Sequence, residues 1–235
     1  MKSKLVKWTL AASLATSAFG LGAVASPSSN VEVAQAAYTM FSITDGVNVR
    51  SGPGTGYRVL GQLTFNDPIS VISKYNSTWS KISYKGKTAY VSNSWIASQP
   101  NVQEYYTVNT GGANLNVRSG PGTSYSILFK KSGGSIAAML NKTNSKWYRI
   151  WGGGSRVGYV SAAYLERLPA YSVQTEGVKL YLRTGPGSTY TKIRTLTNYE
   201  VLYAVNVESS RWFAVAYADG KIGYVNAKYL TPFPY

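Results

Sequence analysis

The 235-residue chain contains no cysteine and no histidine. Those absences exclude a disulfide framework, a Ser–His–Asp or Cys–His triad and the usual zinc sites. Acidic residues are scarce as well, nine against 24 Lys and Arg, for a formal net charge of +15. After the first 25 residues no apolar run approaches the length of a membrane span. What remains is rich in Tyr (20), Trp (6) and Gly (23). This profile suits an all-β extracellular chain better than a helical cytoplasmic enzyme. No cofactor and no metal are expected.

The N-terminus reads as an export signal. Lys2, Lys4 and Lys7 precede the small and apolar run Trp8 to Ala25, and a polar stretch with Pro27 follows. Ala34-Gln35-Ala36 is the expected cleavage site, with Ala23-Val24-Ala25 as the alternative. Residues 1–36 are therefore expected to be removed, leaving a secreted chain, extracellular or wall-associated, with no transmembrane segment. Its excess of Lys and Arg would meet anionic wall polymers or phospholipid headgroups outside a cell, and charge alone does not choose between them.

An internal repeat sets the architecture. Val47-Asn48-Val49-Arg50-Ser51-Gly52-Pro53-Gly54 returns as Leu115-Asn116-Val117-Arg118-Ser119-Gly120-Pro121-Gly122. It returns again as Leu180-Tyr181-Leu182-Arg183-Thr184-Gly185-Pro186-Gly187. The Arg spacings are 68 and 65, and Trp79, Trp147 and Trp212 repeat at the same intervals. Tyr90, Tyr159 and Tyr224, each followed by Val, recur at 69 and 65. Three modules are expected, at 38–99, 102–167 and 170–235, with short polar or Pro-containing joints that leave little room for free tumbling.

Within each module apolar and polar residues alternate, as at Val47 to Arg50 and Val178 to Arg183, the pattern of half-buried strands. Modules of this size lie near the lower limit for a single core, and a small closed β-barrel removes exposed edges economically. The expected fold is all-β, three tandem small barrels. In the Gly-Pro-Gly element, Pro53 suits position i+1 of a type II turn and Gly54 would supply the positive φ that follows. No Lys-Ser/Thr and no helix follow those glycines, so the element is not a phosphate loop.

These motifs resemble the bacterial SH3 domain family. The likeness rests on the apolar–Asn–apolar–Arg–Ser/Thr–Gly–Pro–Gly run, the Trp-led strand, the aromatic-Val strand and a closing aromatic–aliphatic pair. Those closing pairs are Trp95-Ile96, Tyr164-Leu165 and Tyr229-Leu230. The resemblance implies an SH3-like barrel in each module and non-catalytic attachment to bacterial cell-wall material, usually peptidoglycan. Such modules often accompany a wall hydrolase domain, and residues 38–235 are occupied by the repeats. Tyr181 and Thr184 depart from the motif in the third copy, and Ala89 replaces its Gly in the first.

Twelve residues are candidate ligand contacts. Trp79, Trp147 and Trp212 share a strand face with Lys81, Arg149 and Ala214, opposite Ile82, Ile150 and Val215. If the aliphatic face points inward, each Trp offers a stacking surface for sugar rings or peptide; the other reading is a Trp that closes a barrel end. Arg50, Arg118 and Arg183 could pair with a carboxylate or phosphate. They could instead satisfy loop carbonyls, as their strict place before the turn suggests. Tyr57, Tyr125, Tyr190, Tyr90, Tyr159 and Tyr224 could line a groove with the Trp residues or pack at a barrel rim. The remaining Lys residues do not repeat between copies and read as diffuse solvated charge.

Three function classes follow. The leading one is a secreted, non-catalytic protein that binds cell-wall polymer, peptidoglycan and with it anionic teichoic acid, through avidity of three modules. The alternative is an extracellular protein- or peptide-recognition adaptor or adhesin using the same aromatic groove, with a secreted protein partner. Catalysis would need paired carboxylates, yet no acid recurs in all three copies: Asp67 aligns with Glu200, but Ser135 stands between them. No specific nucleic-acid partner is expected for an exported chain.

Overall fold

The alternating segments form strands, and they place one residue set in a core and the other on a polar face. A computed structural model describes residues 37–206 and 211–234; the expected leader lies outside them. The first module carries β1 (Tyr38–Ser42), β2 (Val47–Arg50), β3 (Val59–Leu63) and β4 (Pro68–Lys74). After these come β5 (Trp79–Tyr84), β6 (Lys87–Ser92), a 3-10 turn (Asn93–Trp95) and β7 (Ile96–Ala97). The sheet order is β3-β2-β6-β5-β4-β1-β7, and the second and third modules repeat it. Val47, Val49, Ile69, Val71, Ile82 and Val91 make the first core. Ile82, Ile150 and Val215 are fully buried in their own modules, the aliphatic face expected from the alternation.

Bulges bend each sheet around its core. The register slips at Val49/Arg50 against β3 and at Val71/Ser73 against β5. Slips recur at matching places in the other copies. A bulge increases local twist and turns a strand, so a short sheet wraps its own side chains. Among the described residues no ladder joins β3 to β7, so each module is a bent seven-stranded sheet rather than a hydrogen-bonded closed barrel. Lys85 and Gly86 both have positive φ in the two-residue β5–β6 turn, the hairpin geometry that matches strand twist.

The three modules form one compact unit. Phe41, Tyr105, Leu140, Trp151, Leu168 and Tyr203 belong to one buried cluster drawn from all three. Phe41 and Trp151 meet edge to face at 5.8 Å. Arg149 pairs with Asp67 at 2.8 Å and also donates to the Phe65 carbonyl. The Tyr105 hydroxyl donates to the Ala218 carbonyl, and that of Tyr203 to the Gln103 carbonyl, both at 3.0 Å. At the first joint, Asn66 clasps the Asn101 backbone through its amide nitrogen and oxygen. Short joints limited tumbling from sequence alone; this packing removes it.

Candidate binding grooves

Each groove begins with the loop after β2. The Gly-Pro-Gly run is not the expected type II turn. The Gly54 N–H donates to the Gly52 carbonyl at 3.0 Å, closing a three-residue γ-turn on Pro53, and both other copies do the same. Neither Gly52 nor Gly54 has positive φ. Gly52 is needed for another reason: the Tyr57 ring lies so close on it that a Cβ there would clash with ring carbons under 3 Å away. Tyr125 covers Gly120 and Tyr190 covers Gly185 in the same way. Gly120→Ala is expected to expel the Tyr125 ring and destabilise the chain by about 1–3 kcal/mol. A thermal melt checks this, and an unchanged midpoint refutes the stacking role.

Arg50, Arg118 and Arg183 lock that loop. Their Nη1 groups donate to the carbonyls of Tyr57, Tyr125 and Tyr190, each at 2.8 Å, and Arg50 also reaches the Thr55 carbonyl. The constant Arg-to-Tyr offset of seven residues is thus a geometric requirement. Arg50 and Arg118 also line the grooves, so one amino group anchors the loop while the guanidinium forms part of a wall.

The groove of the first module has a volume of about 670 Å³, and Asn48, Arg50, Thr55, Trp79, Ser92 and Trp95 line it. That of the second has about 420 Å³, with Asn116, Arg118, Thr123, Trp147, Ser161 and Tyr164 in the equivalent places. Trp79 is 9% exposed and Trp147 half-buried, so each presents part of its ring. Asn76 and Asn144 cap the turns that carry them, accepting from the Trp79 and Trp147 N–H groups.

The expected aromatic set is only partly brought together. Tyr57 and Tyr125 stack on glycine, half exposed, and do not line the grooves. Tyr90 and Tyr159 sit across the sheet from Arg50 and Arg118 and stay outside them too. Tyr224 faces Arg183 in the same register. The residues that complete the walls are Trp95 and Tyr164, each about half exposed on the 3-10 turn, with Asn48 and Asn116. The recurrence of an aromatic before each closing aliphatic residue was the available signal.

The third copy differs. Tyr181 stands where the others have Asn, with the Lys192 ammonium 4.1 Å from its ring centroid and the Arg183 guanidinium at 5.5 Å. Trp212 is half-buried and follows residues 207–210, which lie outside the described set.

The acidic pair noticed in the sequence serves turns. Asp67 accepts from the Thr64 N–H at 2.7 Å and Glu200 from the Thr197 N–H at 3.0 Å. Glu200 also holds Arg194. Burial of Glu200 pushes its carboxyl up, but hydrogen bonds and the Arg194 charge more than offset this and hold it below the usual range. Among the described residues no cluster of acidic side chains could hold a metal, and no helix is long and apolar enough to cross a membrane.

The three repeated motifs coincide with three matches to the family described as bacterial SH3 domain, over residues 45–97, 113–166 and 178–231. The chain belongs to the bacterial SH3 domain family. It is 33% identical over 129 residues to a Bacillus subtilis (strain 168) protein named "Putative N-acetylmuramoyl-L-alanine amidase YrvJ". That match takes in 52% of this chain and 24% of the relative, so the chain spans about a quarter of that protein's length. NlpC2 from Trichomonas vaginalis aligns with a TM-score of 0.28 at 15% identity, covering 56% of this chain and 48% of that one. NlpC1 from the same organism aligns at 0.25 and 12%, covering 90% and 98%. Neither alignment is close enough to carry function across.

Proposed function

We propose that this bacterial SH3 chain is an exported, non-catalytic protein that binds bacterial cell-wall polymer, with peptidoglycan as the ligand of its grooves. The observation that carries the reading is that two modules build the same groove from the same kinds of group. An indole ring, an Asn amide, an Arg guanidinium and Thr and Ser hydroxyls face one cleft in each. Flat aromatic faces suit sugar rings, and the amide, hydroxyl and guanidinium groups suit amide and carboxylate oxygens. A relative named as an N-acetylmuramoyl-L-alanine amidase supports a wall setting. Two like sites held in one body suit a repeating polymer, because the second engagement is intramolecular. Wall-associated anionic polymer would add electrostatic attraction to the basic surface.

Co-sedimentation of the full chain with peptidoglycan, before and after removal of anionic polymers, tests this. Retention on stripped walls at about 0.5 M salt, where exposed charges are heavily screened, is expected. Retention lost under either condition reduces the interaction to cationic adsorption. Capture by a defined secreted protein with no wall retention would favour peptide recognition in the same grooves.

A further inference from the structure

Lys131 departs from the expectation that the non-repeating lysines are solvated charge. It pairs across the sheet with Leu115, and the equivalent pairs are Val47–Leu63 and Leu180–Leu196. Leu63 and Leu196 are core residues, 7% and 4% exposed. An ammonium therefore occupies a position that the other copies give to a leucine. A half-buried cation there loses hydration that a leucine would not miss.

The surroundings do not neutralise it. Among the described residues the Lys131 ammonium makes no hydrogen bond and no ion pair. Burial pushes its ammonium below the usual lysine range, with Asp219 of the third module acting the other way and Arg156 adding to the fall. A cleft of about 220 Å³ opens beside it, lined by Phe129, Lys130, Lys131, Ser132, Ser135 and Arg156. Arg156 lies over the Phe129 ring at 5.3 Å and donates through one amino group to the Gly152 carbonyl at 2.6 Å, which fixes its plane. The Ser135 hydroxyl donates to the Ser132 carbonyl within the adjoining turn. Three cations thus border one small cleft, against a single nearby carboxylate.

We infer that this cleft of the second module is an anion site that takes a phosphate group, separate from the aromatic grooves. A tetrahedral phosphate offers acceptors in several directions, which suits an ammonium, a guanidinium and the Ser132 hydroxyl arranged around a pocket. The group could arrive as free phosphate or as the phosphodiester of an anionic polymer.

The test is an amide NMR titration of the full chain with inorganic phosphate, with poly(glycerol phosphate) and with acetate. Saturable shifts confined to 130–135 and 152–156 are expected with phosphate. Tighter binding of the polymer assigns a phosphodiester source, and equal binding per phosphate assigns the free ion. Lys131→Leu restores the residue that the other copies carry, so it should fold at least as stably while binding phosphate about 10- to 100-fold more weakly. An unchanged response in K131L, shifts that spread without saturating, or an equal response to acetate would overturn the inference. Replacing groove aromatics should leave this response intact, so failure of the wall-binding reading and failure of this one are separable.

Discussion

Trp151→Ala is expected to destabilise the chain by about 3–5 kcal/mol, the usual range for removing a large buried aromatic. At this chain length that corresponds to a fall in melting temperature of roughly 6–20 °C. It should also separate the unfolding of the first two modules. The reason lies in the strand Trp147–Trp151, whose inward residue Ile150 fills the module's own core. Its outward residues face elsewhere: Trp147 into the groove, Arg149 onto Asp67 of the first module, Trp151 against Phe41 in the shared cluster. Truncating Trp151 removes the edge-to-face contact, leaves Phe41 beside a cavity and removes the indole hydrogen bond to the Gly154 carbonyl. Scanning calorimetry should show one cooperative transition in the parent chain and more than one in the variant. A single transition at an unchanged temperature would show that the shared cluster does not couple the modules.

The second large effect is on binding. Trp95→Ala and Tyr164→Ala remove the exposed walls of the two grooves without entering either core, which makes them cleaner probes than the buried Trp79. Each alone is expected to weaken peptidoglycan retention by roughly 30-fold or more, the usual cost of an aromatic hot spot. The double variant should lose, in addition, the gain from simultaneous engagement, about 10²–10⁴ in apparent affinity. Circular dichroism and melting should stay close to those of the parent. If the double variant is retained like the parent, the grooves are not the wall-binding sites.

Much of this was legible along the chain. Three copies of one motif showed three modules, and alternation set Ile82, Ile150 and Val215 on the face opposite the Trp residues; their full burial shows that this face turns inward. The place of Arg50, Arg118 and Arg183 just before the turn pointed to a loop anchor, which their bonds to the tyrosine carbonyls supply. The Gly-Pro-Gly element was legible as a turn but not as the right turn. Glycine is required both for positive φ and for close approach of a ring, and a sequence does not say which. Tyr57 decides it by lying on Gly52.

By itself the sequence determined the repeat, the β class and the facing of most strand residues, because these depend on local periodicity and chain connectivity. Only the tertiary structure decided that Trp95 and Tyr164 complete the grooves, that Trp151 belongs to a core shared between modules, and that the Lys131 ammonium stands in a leucine's position without an ion-pair partner among the described residues. Each of those facts depends on which surfaces meet across long sequence separations. Period-two alternation says that a residue points outward from its own sheet; whether it then meets water, a groove or a neighbouring module is settled only when the modules pack.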